Sequence, residues 1–415
     1  MSKISKVQVL QVLDSRGNPT IQVFLYSDSG HMESSIVPSG ASTGTREACE
    51  LRDNDPKFYH GKSVLKAISN IENVIAPKIT GFELSKQRDF DQLLIELDNT
   101  PNKTNLGANA ILACSMAYAK LSAAAKSLAL FEYFDLDTQN FMLPIPMMNL
   151  INGGAHADSG LSIQEFMIMP LGFQTTSKQI QVGSEIFHTL KKLLKDAGHK
   201  VSVGDEGGFA PNLSSNAEAL DYLIQAIEQS GYMPGQDVHI CLDVAASEFY
   251  KDGIYTMNEN GVQRQYDSKQ LITYFQDLCT RYPIFSIEDP MAELDTQGWI
   301  EFMSALGDQI QVVGDDYLVT NPDLIAEAIE NNSCNAVLIK PNQIGTVTQT
   351  VDAINLAKNN AWNTVVSHRS GDSEDTFIAD LAVGMQTGQI KTGSLCRSER
   401  TSKYNRLLRI EQLLK

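Results

Sequence analysis

The sequence predicts an α/β chain: a (β/α)8-type barrel that opens β-β-α-α, preceded by an N-terminal α+β domain with a three-stranded antiparallel sheet. Three observations point there. Six apolar stretches after residue 238 each read as a short strand stopping at one ionisable residue: VHICLDV at Asp243, PIFSIEDP at Glu288, IQVVGDD at Asp315, NAVLIKP at Lys340, NTVVSHR at His368 and QIKTG at Lys391. Those residue numbers are 45, 27, 25, 28 and 23 apart, the length of a strand, loop and helix. The first residues alternate apolar and polar instead, with turn signals at Arg16-Gly17-Asn18-Pro19 and Ser29-Gly30, as an antiparallel sheet does.

Helices follow that sheet. LGANAILACSMAYAKLSAAAKS, from Leu106, is alanine-rich and apolar nearly all round, which predicts a helix buried between other elements. The pattern lapses around Phe131 to Asn140, so the capping domain is expected over 1–135 and the barrel over 136–415. The barrel begins with two strand-like runs, MLPIPMMNLINGG and IQEFMIMP, joined by a Gly-rich loop from Gly153 to Gly160. One helix is expected from about Ser177, with Ile186, Phe187, Leu190, Leu193 and Leu194 on one face, and another from Asn216 to near Gly231. From Val238 onward strands and helices alternate, and Asn321-Pro322 reads as the cap and first residue of one helix.

Composition excludes several function classes. The 415 residues carry 33 Lys plus Arg against 50 Asp plus Glu, a net charge of -17, with the basic residues scattered. That argues against a nucleic-acid groove. The six cysteines show no C-x-x-C pair or zinc spacing and are expected to be buried thiols of a reducing compartment. No apolar run approaches the length of a membrane span, and MSKISKVQVL is too short and polar for a signal peptide, so a cytoplasmic protein is expected.

The strand ends carry the chemistry. Three carboxylates, Asp243, Glu288 and Asp315, on successive strands offer hard oxygen ligands suited to Mg²⁺ rather than zinc. Lys340 ends an apolar strand, and burial beside cations is expected to lower its pKa toward that of a general base. Lys391 is a second inward cation. Glu165 in IQEFM and Glu206 in GDEGGFAPN form a candidate acid pair sharing one proton, with the glycines around Glu206 letting backbone crowd a ligand. His156 in NGGAHAD, and His368, Arg369 and Ser370 in SHRSG, are candidates to meet a phosphate or shuttle protons. The loop Val37 to Gly44, VPSGASTG, lacks the G-K-[ST] ending of a P-loop and reads as a lid of small residues.

These motifs lie in one order along nearly the whole chain: LDSRGNPT, PSGASTG, LGANAIL, QEFMI, GDEGGFAPN, SIEDP, VGDD, IKPNQIG, SHRSG, EDTFIADLAVG and KTGSLCRSER. Through them the sequence resembles the enolases, phosphopyruvate hydratases of bacterial type. The resemblance implies a Mg²⁺-dependent lyase of glycolysis and gluconeogenesis that interconverts 2-phospho-D-glycerate and phosphoenolpyruvate, with two Mg²⁺ per site. By its terms Asp243, Glu288 and Asp315 hold the first cation and Ser42 ligates the second. Lys340 takes the C2 proton, and Glu206, supported by Glu165, protonates the leaving hydroxyl. Lys391 pairs with the substrate carboxylate, His156, Arg369 and Ser370 meet the phosphate, and His368 stands near the acid.

The resemblance also implies a homodimer or a ring of dimers, with contacts near the first sheet and Arg409. Three positions depart from the family pattern: Tyr317 and Cys49 stand where leucine is usual, and the segment before MLPIP lacks the P-L-Y turn. These allow a paralogue acting on a related phosphorylated or phosphonate acid. Generic acid-sugar enzymes of the superfamily fit less well, since no K-x-K lies at the second barrel strand. A further reading is partner binding at a cell surface or from a secreted pool, with the terminal Lys415 offered to lysine-seeking receptors such as plasminogen.

Overall fold

The computed structural model describes residues 2–40, 44–135, 140–154 and 160–415. Strands β1 (Ile4–Leu13), β2 (Pro19–Ser27) and β3 (Met32–Ile36) form the expected antiparallel sheet in that order. The β1–β2 turn closes because the Asp14 carboxylate accepts the backbone N–H groups of Arg16 and Asn18, both at 2.9 Å, while Gly17 takes a φ of 73°. Ile21, Val23 and Leu25 alternate onto the inner face of β2. Against that face packs the Ala108–Ala125 helix, buried along nearly all its length as its composition requires.

The remaining principal strands close an eight-stranded barrel. In chain order they are β4 (Ile145–Asn152), β5 (Glu165–Met169), β6 (His239–Asp243) and, after a small sheet of β7 (Tyr250–Lys251), β8 (Ile254–Glu259) and β9 (Val262–Tyr266), β10 (Ile284–Glu288), β11 (Gln311–Gly314), β12 (Ala336–Ile339), β13 (Asn363–Ser367) and β14 (Gly388–Lys391). Around the ring they run β10-β11-β12-β13-β14-β4-β5-β6. Every neighbouring pair is parallel except those of β5, which is antiparallel to β4 and β6. β5 begins at the rim where β4 ends, and the helices Thr176–Asp196 and Asn216–Gln229 then lead to β6, giving the β-β-α-α opening. The cap at Asn321 also forms, its side chain accepting the Asp323 N–H with Pro322 in the first turn.

The small sheet interrupts the regular alternation expected after Val238. It lies between β6 and the helix Ser268–Arg281 and explains why the first spacing is 45 residues while the others fall between 23 and 28. Its signals are local: Asp252-Gly253 and Asn260-Gly261 are turn dipeptides flanking the alternating run IYTMNE.

The barrel interior is packed with Met147, Met167, Met169, Cys241, Val313, Ala336, Leu338 and Val365, so it is a core and not a channel. Buried hydrogen bonds dock the N-terminal domain on it. Ser115 Oγ and the Asp91 carboxylate accept the N–H groups of Val347 and Thr348, at 2.9 and 2.8 Å, at the start of the barrel helix Val347–Asn359. Lys120 meets Asp375 at 2.7 Å. Of the six free cysteines, Cys114, Cys241 and Cys334 are buried, whereas Cys49, Cys279 and Cys396 are half-buried, a departure from uniform burial. Among the described residues no helix is long and apolar enough to cross a membrane.

Candidate active site

The rim at the C-terminal ends of the parallel strands gathers the ionisable groups. β5 runs the other way, so its first residue, Glu165, reaches this rim and pairs in register with Asn152 and Asp243. Lys340 follows β12 directly, and β5 lies four places from β12 in either direction around the ring of eight. Glu165 and Lys340 therefore face each other across the barrel mouth. A cavity is lined by both, together with Gln164, Glu206, Asp243, Ser367, His368, Arg369, Ser370 and Lys391.

Lys391, at the end of β14, anchors the acidic side. Its Nζ stands 2.8 Å from Asp243 Oδ2, 2.8 Å from Glu288 Oε2 and 3.1 Å from Glu165 Oε1, and all four side chains are buried. Burial alone would neutralise the lysine, but three surrounding carboxylates hold its pKa well above the ordinary value. Burial pushes the Glu165 carboxyl well up and Glu206 repels it further, with Lys391 only partly offsetting them. Glu288 is raised in the same way by burial and by Asp243. At Asp243 burial raises the pKa, but the charge and hydrogen bond of Lys391, joined by the charge of Lys340, together overcome it and the pKa falls.

Glu206 sits in a tight turn made by its glycines. Phe209 N–H donates to Leu150 O and Asn152 N–H to Phe209 O, both at 2.8 Å, stitching the turn to β4. A Cβ at Gly208 would lie 2.3 Å from Asn152 Oδ1 and one at Gly207 2.7 Å from Cys396 O. The glycines thus admit neighbouring protein, not a ligand as the sequence suggested. Asn149 Nδ2 donates to Glu206 Oε2 at 3.1 Å.

On the opposite side the Lys340 ammonium meets Asp315 Oδ2 at 2.5 Å. Burial depresses the lysine most, but the carboxylates around it, Asp315 foremost and then Glu288, together outweigh it and the pKa rises, contrary to the lowering expected from the sequence. That expectation counted burial and neighbouring cations and missed the paired carboxylate. Asp315 Oδ1 accepts from Gln343 Nε2 at 2.9 Å.

Arg369 follows the end of β13 and is held bidentate by Glu47: Nη1 to Oε2 and Nη2 to Oε1, both 3.0 Å. Nη1 also donates to Asn342 Oδ1 at 3.0 Å. Glu47 Oε1 in turn accepts the Gly44 N–H at 3.1 Å, which ties the root of the small-residue loop to this arginine. Ser39, in the same loop, exchanges backbone hydrogen bonds with Gly371 at 2.7 and 2.8 Å. Ser42 and His156 lie outside the described residues.

Sequence reasoning missed Glu47, Gln164, Gln343 and Arg400, none of which ends a strand. It missed two acids as well. Among the described residues, the acids whose carboxylate oxygens lie within 4.8 Å of one another are Asp289, Asp315 and Asp316. Asp289, however, spends its two oxygens on the backbone N–H groups of Asp315 and Asp316, each at 2.8 Å, and so clasps the turn. Burial and Asp315 lift Asp316 to about 7.

Comparison with known families decides the identity. The family model described as Enolase, C-terminal TIM barrel domain matches residues 140–415, and that described as Enolase, N-terminal domain matches residues 4–134. The chain belongs to the enolase family. It is accordingly an enolase-type lyase, and enolases bind small-molecule substrates. Tyr317, where this enolase departs from the expected leucine, stacks on Trp299 with ring centroids 4.4 Å apart and lies under the Arg46 guanidinium.

Proposed function

We propose that this enolase-family lyase is a phosphopyruvate hydratase that interconverts 2-phospho-D-glycerate with phosphoenolpyruvate and water. One observation carries the reading: an amine, Lys340, and a carboxyl pair, Glu165 and Glu206, line one cavity from opposite sides of the barrel mouth. Anti elimination needs a base and an acid on opposite faces of the substrate. Lys340 would remove the C2 proton as the free amine, a form that requires a cation to take the Asp315 carboxylate in its place, and Glu206, close enough to Glu165 to raise its pKa, delivers a proton to the departing 3-hydroxyl oxygen. Lys391 places fixed positive charge beside the substrate carboxylate, where the enolate charge grows. Arg369, held in place by Glu47, puts its positive charge at the phosphate, with Ser370 beside it.

Mg²⁺ is the proposed cofactor. Asp243, Glu288 and Asp315 supply only hard oxygens, and Glu288 Oε1 is buried with no hydrogen-bond partner among the described residues, as an oxygen kept for a cation would be. When bound, the cation would stabilise the charge that develops on the substrate carboxylate. Two Mg²⁺ per site, the second at Ser42, follow from the family resemblance. The test is the ultraviolet absorbance of the enol product, followed with Mg²⁺ and with EDTA. Absence of product at saturating Mg²⁺, or full activity in EDTA, would defeat the proposal.

The cytoplasmic setting and a homodimer are part of the same proposal. β1 is an edge strand with Leu10 and Leu13 more than half exposed. Sedimentation as a monomer at micromolar concentration would exclude the dimer. Among the described residues, Tyr317 packs on Trp299 and is not one of those lining the cavity, which favours the unaltered substrate.

A further inference from the structure

We propose that Arg400 is a positioning residue that fixes the tautomer of His368, so that the imidazole presents Nε2–H to the ligand cavity beside Glu206. Arg400 comes from the C-terminal helix Ser398–Leu413 and its side chain is fully buried. Nη1 lies 2.5 Å from His368 Nδ1 and 2.6 Å from Arg369 O, and Nη2 lies 2.7 Å from Ser370 O and 3.1 Å from Asp205 O. A guanidinium has donors and no acceptor, and it stays protonated in proteins. The nitrogen facing it must therefore be the one carrying the lone pair.

The rest follows from proton counting. Burial, assisted by the charges of Arg400, Lys391 and Lys340 against that of Glu206, keeps His368 well below the ordinary imidazole pKa, so the ring is neutral and holds one proton. With Nδ1 accepting, that proton is on Nε2. Nε2 stands 3.6 Å from Glu206 Oε1 and has no hydrogen-bond partner among the described residues, although the ring is buried. An N–H left open in a buried cavity wall is a donor for a ligand oxygen. The carbonyls that hold Arg400 belong to Asp205, next to Glu206, and to Arg369 and Ser370, next to His368. One guanidinium thus binds the acid's turn to the end of β13.

The identity of the accepting atom rests on the proposed function: the leaving 3-hydroxyl oxygen would take the Nε2–H hydrogen bond while Glu206 supplies the proton. The tautomer itself does not rest on it. The full chain, with ¹⁵N-labelled histidine, is studied by long-range ¹H–¹⁵N correlation, and His368 is assigned by its loss in His368→Gln. We expect an unprotonated Nδ1 and a protonated Nε2 near neutral pH. An Nδ1–H tautomer or an imidazolium in the unaltered protein would overturn the inference without any variant having to fold.

Arg400→Met should shift the tautomer balance toward Nδ1–H and lower kcat about tenfold or more, with KM changed less. Arg400→Lys, which restores a donor, should recover part of both. An unchanged tautomer in Arg400→Met would also overturn the proposal. Should the chain show the Nε2–H form yet fail to dehydrate 2-phospho-D-glycerate, the proposed function falls and this inference stands. Dehydration by a chain in the Nδ1–H form would overturn this inference and leave the proposed function standing.

Discussion

Replacing Lys391 with methionine removes one charge and little volume from a place where three buried carboxylates, on Asp243, Glu288 and Glu165, approach one ammonium within 2.8 to 3.1 Å. Breaking a buried ion pair by deleting one partner costs about 3–5 kcal/mol, and here three acids lose the same partner. The protein can relieve part of that cost by binding a proton. Glu165 and Glu288 already lie well above ordinary carboxyl values, by burial and mutual repulsion, and without Lys391 they rise further. Unfolded carboxyls titrate near 4, so above that the folded variant holds more protons than its unfolded chain. A raised folded pKa gives stability that is lost as pH rises through it.

The parent shares the raised Glu165 and Glu288, so the deficit of Lys391→Met grows only through protons the folded variant holds beyond the folded parent, each adding a slope of about 1.4 kcal/mol per pH unit as pH rises above the ordinary carboxyl range. Urea or thermal unfolding of both proteins in EDTA, at several pH values and one scan rate, measures this. A variant as stable as the parent, or one whose deficit does not grow with pH, would refute the assignment of charge to this cluster. In Mg²⁺ the same variant should lose about 10²- to 10³-fold in kcat, the usual worth of a fixed charge at a developing oxyanion.

Four further outcomes are expected. Lys340→Ala should abolish exchange of the C2 proton with solvent, and retained exchange would remove it as base. Glu206→Gln should keep some exchange while blocking dehydration, so equal loss of both steps in isotope and absorbance assays would contradict the division of acid and base. Glu47→Gln weakens the bidentate hold on Arg369, worth about 1.5–3 kcal/mol for charged hydrogen bonds, so KM should rise about tenfold or more with kcat less affected; a kcat defect at unchanged KM would speak against it. Tyr317→Leu gives up a stacked ring pair, about 0.5–1.5 kcal/mol beyond area burial, and should lower the unfolding midpoint while leaving kcat/KM within about twofold. A large change in substrate preference in that variant would revive the paralogue reading.

The architecture was legible because its signals are short-ranged. Alternation in β1 to β3, the near-even spacing of strands ending in charge, and the Asn321-Pro322 cap each depend on a few neighbouring residues. The 45-residue step also contained its own explanation in Asp252-Gly253 and Asn260-Gly261, although regular alternation was expected there. Glu165 shows the intermediate case: two strands in succession without a helix imply an antiparallel β5, and that direction brings the strand's first residue to the rim. Lys340 shows where local reading failed, since the carboxylates that raise its pKa, Asp315 foremost, stand at the ends of other strands, Asp315 25 positions away in the chain.

Taken alone, the amino-acid sequence determined the cadence of elements, the N-terminal sheet, the family resemblance and the chemical types collected on one rim. Periodicity, turn residues and side-chain chemistry are properties of the local chain, and they survive without knowledge of its partners. Tertiary structure alone decided the pairings: Lys391 with Asp243 across 148 positions, Arg369 with Glu47 across 322, and Arg400 with His368 from a separate helix. Closure of the barrel and docking of the cap bring those groups together. Their charges and tautomers follow from burial and from the nearest ionised atom, and both depend on distances through space that the order of residues does not contain.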